Sequence, residues 1–357
     1  MKTINKYIIA IAAMLMMVSC YDGIDPITEV DPGSDLEDPT AQIVSPNGDV
    51  LIPFTDTELN LDIEVLVEDD IEINNVTVIL DGNTIQTFDS FLDYRIFMEA
   101  FQYENLQLGS HTIVVEATDT SGKTATDSLT FSLDNTYLPT IEGEIFYMPF
   151  FEGLYTELIS ESDPTVVGSP SIVSGGYSGS AYEGATDSYL TFPLDDLFEA
   201  NTFSATFWYK VNSAPDRAGI LVVGNDVPEN RNQGFRLFRE GSDAEQTIKA
   251  NIGVGDGESW NDGGAIDATA GDWVHVALTV SATESKIYLN GVLQNTTELS
   301  SSIDWTGCTD LTIGSGGETF SYWGHESDSS LIDELKLFNT ALSQADIDAM
   351  QPEDEDE

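Results

Sequence analysis

Carboxylates are the side chains with which this 357-residue chain could catalyse a reaction, because 63 of its residues are Asp or Glu. Retaining glycoside hydrolysis needs two carboxyl groups about 5.5 Å apart, which Glu-x-Asp-x-Glu on one strand face provides. The segment Glu68-Asp69-Asp70-Ile71-Glu72 fits this pattern, but it lies in an acidic, turning stretch. We therefore interpret it as solvated surface, since so acidic a chain must contain chance matches. The large C-terminal part of the chain has no such trio.

Tryptophans in polar, glycine-rich segments could instead bind sugars, because an indole face stacks on the C–H groups of a sugar ring. Trp260, Trp305 and Trp323 lie in such segments, and the loop 224–234 adds amide groups and one guanidinium. The predicted glycan-binding residues are Trp260, Trp323, Tyr322, Asn225, Arg231 and Asn232. The alternative is that these rings pack over sheet edges, which we favour for Trp305.

Two further tryptophans, Trp208 and Trp273, lie in segments where apolar and polar residues alternate, so we predict that they pack in the core. His275 lies in such a strand too and is predicted to be structural. The spacing of the three histidines does not predict a zinc site. No Gly-x-Ser-x-Gly elbow occurs, so a serine hydrolase is not predicted.

The first twenty residues have the order of a secretory signal, with Lys2 and Lys6, an apolar stretch from Tyr7 to Val18, and then Ser19-Cys20. Cysteine at the cleavage point resembles the lipobox of bacterial lipoproteins. The resemblance implies that the Cys20 thiol is acylated and holds the protein at a membrane. An ordinary cleaved signal is the alternative. Acidic residues after Cys20 resemble the surface-export signal of Bacteroidetes lipoproteins, which implies the outer membrane, facing outside.

The formal net charge of −51 repels phosphate backbones, so we expect no nucleic-acid partner. The same charge disfavours strongly anionic polysaccharides. Only two cysteines occur, Cys20 and Cys308, which excludes a disulfide framework once Cys20 is acylated. The length predicts two domains.

Short strands are predicted between residues 40 and 135. Leu59 to Val65 alternates strictly between apolar and polar residues, which is typical of a half-buried strand. Val76 to Leu80 leads into Asp81-Gly82-Asn83, which predicts a hairpin turn. This spacing favours a β-sandwich, and the run from Gly109 to Gly122 resembles bacterial Ig-like modules.

The region 137–350 contains a series of alternating segments separated by Gly, Asn and Asp turns. In chain order these are Gly176–Gly184 with Ser188–Pro193, Thr202–Lys210, Gly271–Leu278 with Lys286–Gly291, Leu311–Gly314, and Leu331–Asn339 with Ala341–Ser343. Such alternation suits two stacked antiparallel sheets. Together the segments resemble the laminin-G-like, concanavalin A-like jelly roll. A short C-terminal helix is also predicted, with Ser343 as its N-cap and Asp346 completing a capping box.

The resemblance to laminin-G-like jelly rolls implies a structural Ca²⁺. The positions that resemble its ligands are Glu152 and Asp333, whose carboxylate oxygens suit this ion. The alternative is that Asp333 only accepts hydrogen bonds from nearby backbone amides.

The predicted fold class is all-β, an Ig-like β-sandwich followed by a concanavalin/laminin-G-like jelly roll. The predicted segments are a signal peptide (1–19), an acidic tether (20–39), the sandwich (40–135), the jelly roll (137–350) and an acidic tail (351–357). We expect a non-catalytic lipoprotein of the outer membrane that captures a polysaccharide, preferably neutral, near glycan import or degradation proteins. The alternatives are an adhesion or assembly protein that binds another protein, and a glycoside hydrolase or lyase.

Overall fold

A computed structural model describes residues 33–194, 197–198, 200–227 and 229–352, except for the side chain of Glu152. The predicted signal peptide, Cys20 and residues 353–357 lie outside the described part of the chain. The described chain divides into two compact units, one of residues 33–52 and 56–135 and the other of residues 53–55 and 136–352. Strands and their connections make up most of both units.

The first unit is a sandwich of two sheets. Its strands are β1 (Thr40–Ser45), β2 (Val50–Leu51), β3 (Glu58–Glu68), β4 (Ile73–Leu80), β5 (Asn83–Phe88), β6 (Ile96–Gln107), β7 (Gly109–Asp119) and β8 (Thr124–Asp134). In the described residues, one sheet has the order β1-β3-β6 and the other the order β2-β8-β7-β4-β5, in which β2 and β8 are parallel.

Local sequence explains the elements of this sandwich. In β3 the alternating residues Leu61, Ile63, Val65 and Val67 are buried, as the strict alternation predicts. The turn between β4 and β5 has positive φ at Asp81 (50°) and Gly82 (78°), which is the two-residue hairpin turn that the Asp-Gly pair favours.

The candidate carboxylate trio follows β3. Asp69 is buried, and its carboxylate accepts the backbone N–H of Ile71 at 2.9 Å. The three carboxylates of the trio itself, Glu68, Asp70 and Glu72, are exposed, as expected for solvated surface. The intervening Asp69 braces the connection between two strands.

The second unit is a jelly roll of two stacked sheets. Its strands are β9 (Glu144–Met148), β10 (Thr165–Val167), β11 (Ser171–Ser174), β12 (Ser180–Glu183), β13 (Tyr189–Pro193), β14 (Phe203–Lys210), β15 (Arg217–Asn225), β16 (Phe235–Gly241), β17 (Glu245–Gly253), β18 (Glu258–Asp267), β19 (Val274–Val280), β20 (Glu284–Leu289), β21 (Val292–Glu298), β22 (Cys308–Ile313) and β23 (Leu331–Phe338). Its helices are α1 (Gly317–Phe320) and α2 (Gln344–Asp348), with single 3₁₀ turns at Phe151–Gly153 and Ser321–Trp323.

The described strands of this unit form a seven-stranded sheet, β10-β13-β22-β15-β16-β17-β18, and an eight-stranded sheet in which β11-β12-β23-β14-β19-β20-β21 are joined by β9 beside β23. The inward side chains of both sheets form one apolar core, which includes Phe203, Phe207, Leu237 and Ile313. Burial of apolar surface stabilises a fold by about 25 cal/mol per Å². This large core is therefore the main source of stability. The all-β fold class is therefore confirmed.

The predicted C-terminal helix is also present. The Ser343 hydroxyl accepts the backbone N–H of Asp346, and the Asp346 carboxylate accepts the backbone N–H of Ser343, which is a capping box. In the described residues, no helix combines the length and apolar character that crossing a bilayer requires.

Candidate functional site

One row of side chains crosses the outer face of the seven-stranded sheet. The strand register places Thr191 opposite Thr312, Thr312 opposite Val222, and Val222 opposite Arg236. Arg236 is opposite Asn251, which is opposite Trp260 on β18. Because neighbouring residues of each strand point into the core, this row points away from it.

A short segment, residues 317–323, lies on this outer face. Its Phe320 is buried, with its ring centroid 5.2 Å from that of Phe238 and 4.7 Å from that of His325. Gly219 of β15 permits the close approach of the chain before this segment, since a Cβ there would lie 2.1 Å from the backbone nitrogen of Gly316. The buried phenyl ring thus anchors the segment that carries Tyr322 and Trp323.

The anchored segment brings Trp323 against Trp260. Their ring centroids are 5.8 Å apart and their planes differ by 18°. The guanidinium carbon of Arg231 lies 4.4 Å from the centroid of the Trp323 ring, within cation–π distance. Trp260 is half-buried, whereas Trp323 is 42% exposed. We call Trp260, Trp323, Tyr322 and Arg231 the indole patch; its exposed ring surface can stack on a ligand.

The Arg231 guanidinium is held by a carboxylate and a phenol. Its Nε lies 2.6 Å from one oxygen of Glu258 and its Nη2 3.1 Å from the other, while Nη1 donates to the Tyr322 hydroxyl at 2.9 Å. Asn251 also donates to Glu258, at 3.0 Å. Burial raises the pKa of Glu258, but the bonds from Arg231 and Asn251 outweigh it, so that the pKa lies below its usual value. The patch therefore holds a neutralised cation.

Arg236 supports the loop 225–234 from below. Its side chain is fully buried and donates to the carbonyl oxygens of Gln233 at 2.7 Å and Asn230 at 2.8 Å. Burial lowers the pKa of the Arg236 guanidinium to about 10. Its Nε has no hydrogen-bond partner among the described residues. A buried cation thus fixes the backbone on which Arg231 is carried.

The two asparagines predicted to bind the glycan, Asn225 and Asn232, make hydrogen bonds to loop residues. The Asn225 amide donates to Gln233 at 3.3 Å, and its oxygen accepts the backbone N–H of Val227 at 3.0 Å. The carbonyl oxygen of Asn232 accepts the backbone N–H of Gly255 at 2.8 Å. Asn225 therefore braces its own loop, and the structure does not join it to the indole patch.

A polar cavity of about 430 Å³ lies on the same outer face, beside α1. Its lining includes the hydroxyl groups and carboxylates of Thr191, Thr312, Asp226, Asp310 and Glu318. These oxygens could bond the hydroxyl groups of a sugar.

Three contributors to this site were missed from sequence: Glu258, Asn251 and Arg236. Each lies at an outward position of a strand, which alternation could have revealed. Their contacts with Arg231 depend on the register of β16, β17 and β18, which no local pattern specifies.

Trp305 packs on the core, as predicted. Its Nε1 donates to the Ala200 carbonyl at 2.9 Å, and its ring stacks on Phe198.

Trp208 and Trp273 also differ from their prediction as core residues. Trp208 is buried, but it stacks on Tyr177, whereas its neighbours Phe207 and Tyr209 point into the core. Trp208 is therefore on the outer face of its strand. Trp273 is half-buried and precedes β19.

The contacts of Asp333 match the alternative to a calcium site, in which its carboxylate accepts hydrogen bonds from nearby backbone amides. Asp333 is fully buried, and its carboxylate accepts the backbone N–H groups of Ser178 and Glu334, each at 2.8 Å. Burial raises its pKa to about 7. The described residues contain no group of three His, Cys, Asp or Glu side chains that could hold a metal ion. The side chain of Glu152 lies outside the described part, so the ion remains a prediction.

The second unit is a jelly roll of the concanavalin A-like type. The family model Laminin_G_3 matches residues 184–348. This family is described as part of the concanavalin A-like lectin/glucanases superfamily. No curated protein matches the chain.

Solved structures resemble the chain at low identity. Domain 4 of AbnA, a GH43 extracellular arabinanase from Geobacillus stearothermophilus in complex with arabinotriose, is 18% identical with a TM-score of 0.47; the match covers 59% of this chain and all of that domain. The receptor-binding domain of botulinum neurotoxin C/D mosaic serotype is 12% identical with a TM-score of 0.45 over 58% of this chain and 50% of that one. The serotype D ligand-binding domain in complex with N-acetylneuraminic acid is 14% identical with a TM-score of 0.44. The match to serotype D covers 58% of this chain and 50% of that domain.

Proposed function

We propose that this protein binds a polysaccharide without cleaving it, and that the indole patch is where the sugar chain docks. The observation that carries the proposal is the exposed ring of Trp323, stacked near Trp260 and fixed by Arg231. A flat, exposed aromatic surface beside hydrogen-bonding side chains suits a sugar, which has apolar C–H faces and polar edges. The family matched by residues 184–348 includes both lectins and glucanases, so the absence of cleavage belongs to the proposal.

Charge favours a neutral polymer. Arg231 is paired with Glu258 at 2.6 Å, so the patch offers an anionic polymer no unpaired guanidinium. The cavity beside α1 adds Asp226, Asp310 and Glu318, and the whole chain carries a formal charge of −51. An alginate or sulfated chain would meet repulsion at this face.

Native affinity electrophoresis tests the proposal. We expect retardation in gels that contain glucan or mannan and none in gels that contain alginate. Trp323→Ala and Trp260→Ala should each weaken retention about tenfold, which corresponds to about 1.4 kcal/mol of lost ring contact.

Trp273→Ala is the matched control, because it removes an indole of the same size from a half-buried position before β19. This variant should migrate as the unaltered protein does. Equal migration of all three variants and the unaltered protein would exclude the patch as the docking site. Release of reducing ends from the retained polysaccharide would overturn the non-catalytic assignment.

We further propose that Cys20 carries the lipid anchor and that the protein is held at the outer membrane, facing outside. The proposal is supported by the lipobox-like order of residues 15–20 and the acidic residues that follow. Expression with an alkyne fatty acid should label the unaltered protein and not Cys20→Ser. Cys308→Ser is the control and should retain the label. Protease treatment of intact cells would then reveal the side on which the protein faces.

A further inference from the structure

A second cavity, of about 440 Å³, lies on the outer face of the eight-stranded sheet. This volume is within the range of small-molecule sites, roughly 300–1,000 Å³. One wall is an aromatic stack: the rings of Tyr177 and Trp208 are parallel within 6°, with centroids 3.6 Å apart. His275 lies beside them, with its ring centroid 5.2 Å from that of Trp208.

A distorted strand directs a carboxylate into this cavity. Thr206 of β14 lies opposite Lys336, and Trp208 lies opposite Asp333. Two residues of β23, Glu334 and Leu335, therefore oppose Phe207 alone, which marks a β-bulge in β23. Within it, Glu334 has φ of +51°, a left-handed conformation that non-glycine residues rarely adopt. The Glu334 side chain lines the cavity and accepts the Tyr147 hydroxyl at 2.8 Å with one oxygen. Bulges are frequent beside binding sites, where they redirect a side chain.

Hydrogen-bond donors line the same cavity. Gln351 donates to Nδ1 of His275 at 2.8 Å, which places the imidazole proton on Nε2. Nε2 has no hydrogen-bond partner among the described residues. Lys336 also lines the cavity, while its ammonium group donates to the Tyr137 hydroxyl at 2.9 Å. Thr206 adds a hydroxyl to the lining. The cavity therefore combines an aromatic wall, one carboxylate and donors of several kinds.

We infer that this cavity is a second binding site and that it takes a single neutral sugar ring. Lys336 would repel a ligand with an ammonium group, and Glu334 would repel an anionic ligand. The two lining charges therefore favour a neutral ligand. A sugar hydroxyl both donates and accepts, so it can pair with Glu334 and His275 together. The inference goes beyond the indole patch, since it rests on different residues of the opposite sheet.

Saturation-transfer NMR on the full chain tests this inference, with the methyl glycosides of glucose, mannose, galactose and arabinose as probes. We expect transfer to at least one glycoside. Glu334→Gln should weaken its binding at least tenfold, because it replaces the carboxylate with an amide of the same shape. Thr206→Val should weaken binding less and provides a second variant, since the structure gives its hydroxyl no hydrogen bond that folding requires. Trp323→Ala, on the other sheet, removes the contribution of the indole patch and should keep the transfer that comes from the cavity. Tyr94→Ala is the control, because Tyr94 is an exposed residue of the first unit, and it should bind the glycoside unchanged.

The outcomes separate the two sites. Loss of transfer in Glu334→Gln or Thr206→Val, with retention in Trp323→Ala, supports the second site even where polysaccharide retention fails. Absence of transfer to all four glycosides overturns the inference. Transfer that Trp323→Ala abolishes, and that Glu334→Gln and Thr206→Val leave intact, also overturns it and assigns the small sugar to the indole patch.

Discussion

The outer faces of the two jelly-roll sheets use aromatic rings in opposite ways. On the seven-stranded sheet Trp323 is 42% exposed and lies on a segment added above the strands. On the eight-stranded sheet Trp208 belongs to a strand, is 8% exposed and is covered by Tyr177. The first face presents an indole on its surface, whereas the second covers its indole with a tyrosine ring that is itself 39% exposed, beside a cavity.

The charged groups of the two faces follow the same division. Arg231 and Glu258 are paired with each other at the edge of the indole patch, where both side chains are 24% exposed. On the other face the Glu334 carboxylate accepts the Tyr147 hydroxyl, while Lys336 lies 4.4 Å from the Tyr147 ring centroid and 3.3 Å from Glu144. A ring on the surface suits an extended chain, and a recess beside a covered ring suits a single sugar ring. The position of a ring relative to its strand thus carries more functional information than its residue type.

Loss of the buried ion pair between the faces should have the largest effect. Arg239 of β16 bonds Asp328 at 2.8 Å, Asp328 accepts the Tyr209 hydroxyl of β14, and the paired side chains are 0% and 1% exposed. Arg239→Leu leaves a buried carboxylate unpaired and should lower the free energy of unfolding by about 3–5 kcal/mol. All five tryptophans lie in the jelly roll, so urea titration followed by tryptophan fluorescence measures this loss.

Arg231→Leu is the matched comparison, since it breaks an ion pair whose side chains are partly exposed. It should lower the free energy of unfolding by about 1 kcal/mol or less. Similar losses in the two variants would show that burial does not set the strength of these pairs.

The two buried histidines of the jelly roll should make it sensitive to acid. Burial lowers the pKa of His275 to about 4, and burial lowers that of His325 to about 4 although Glu240 opposes the shift. Their stabilising contribution is present above the unfolded value of about 6.5 and is lost as the pH falls through about 4. The two histidines should therefore lower the urea midpoint between pH 6.5 and 4, while Asp333, whose pKa burial raises to about 7, opposes part of this fall. His275→Gln and His325→Gln should each reduce that fall, by an amount on the order of 2 kcal/mol.

His111→Gln provides the control for the histidine variants, because this histidine lies in the first unit, which has no tryptophan. Its fluorescence-detected transition should keep the full acid sensitivity. An unchanged pH dependence in both jelly-roll variants would mean that other groups cause the acid effect.

Much of the fold could be predicted because its signals are local. The alternation in β3, the Asp81-Gly82 turn and the Ser343–Asp346 capping box each lie within a few residues. β14 shows where this reasoning fails. Seven of its eight residues are buried, so Trp208 lies in a strand covered on both sides and alternation does not reveal its face.

The candidate site was predicted in part for a related reason. Trp260, Trp323, Tyr322 and Arg231 were found from their polar, glycine-rich segments, although Trp260 lies in β18 and not in a loop. The structure brings them together even though Arg231 and Tyr322 are 91 positions apart. Glu258 could not be paired with Arg231 without the register of β17 and β18. Glu334 could not be placed at all, because its left-handed conformation belongs to a bulge in β23 that is defined only by the pairing with β14.

Removal of Tyr177 gives the smallest effect and tests the enclosed face directly. Tyr177→Ala removes a stacked ring, and such a pair contributes about 0.5–1.5 kcal/mol beyond its buried area, so the urea midpoint should fall slightly. Water should then reach Trp208, and the tryptophan emission should shift to longer wavelength in the folded protein. Tyr94→Ala is the control, because Tyr94 is a 52% exposed tyrosine of the first unit, far in sequence from every tryptophan. An unchanged emission spectrum in Tyr177→Ala would mean that the strand itself shields Trp208. The contrast between the two faces would then come from the sheets and not from the Tyr177 ring.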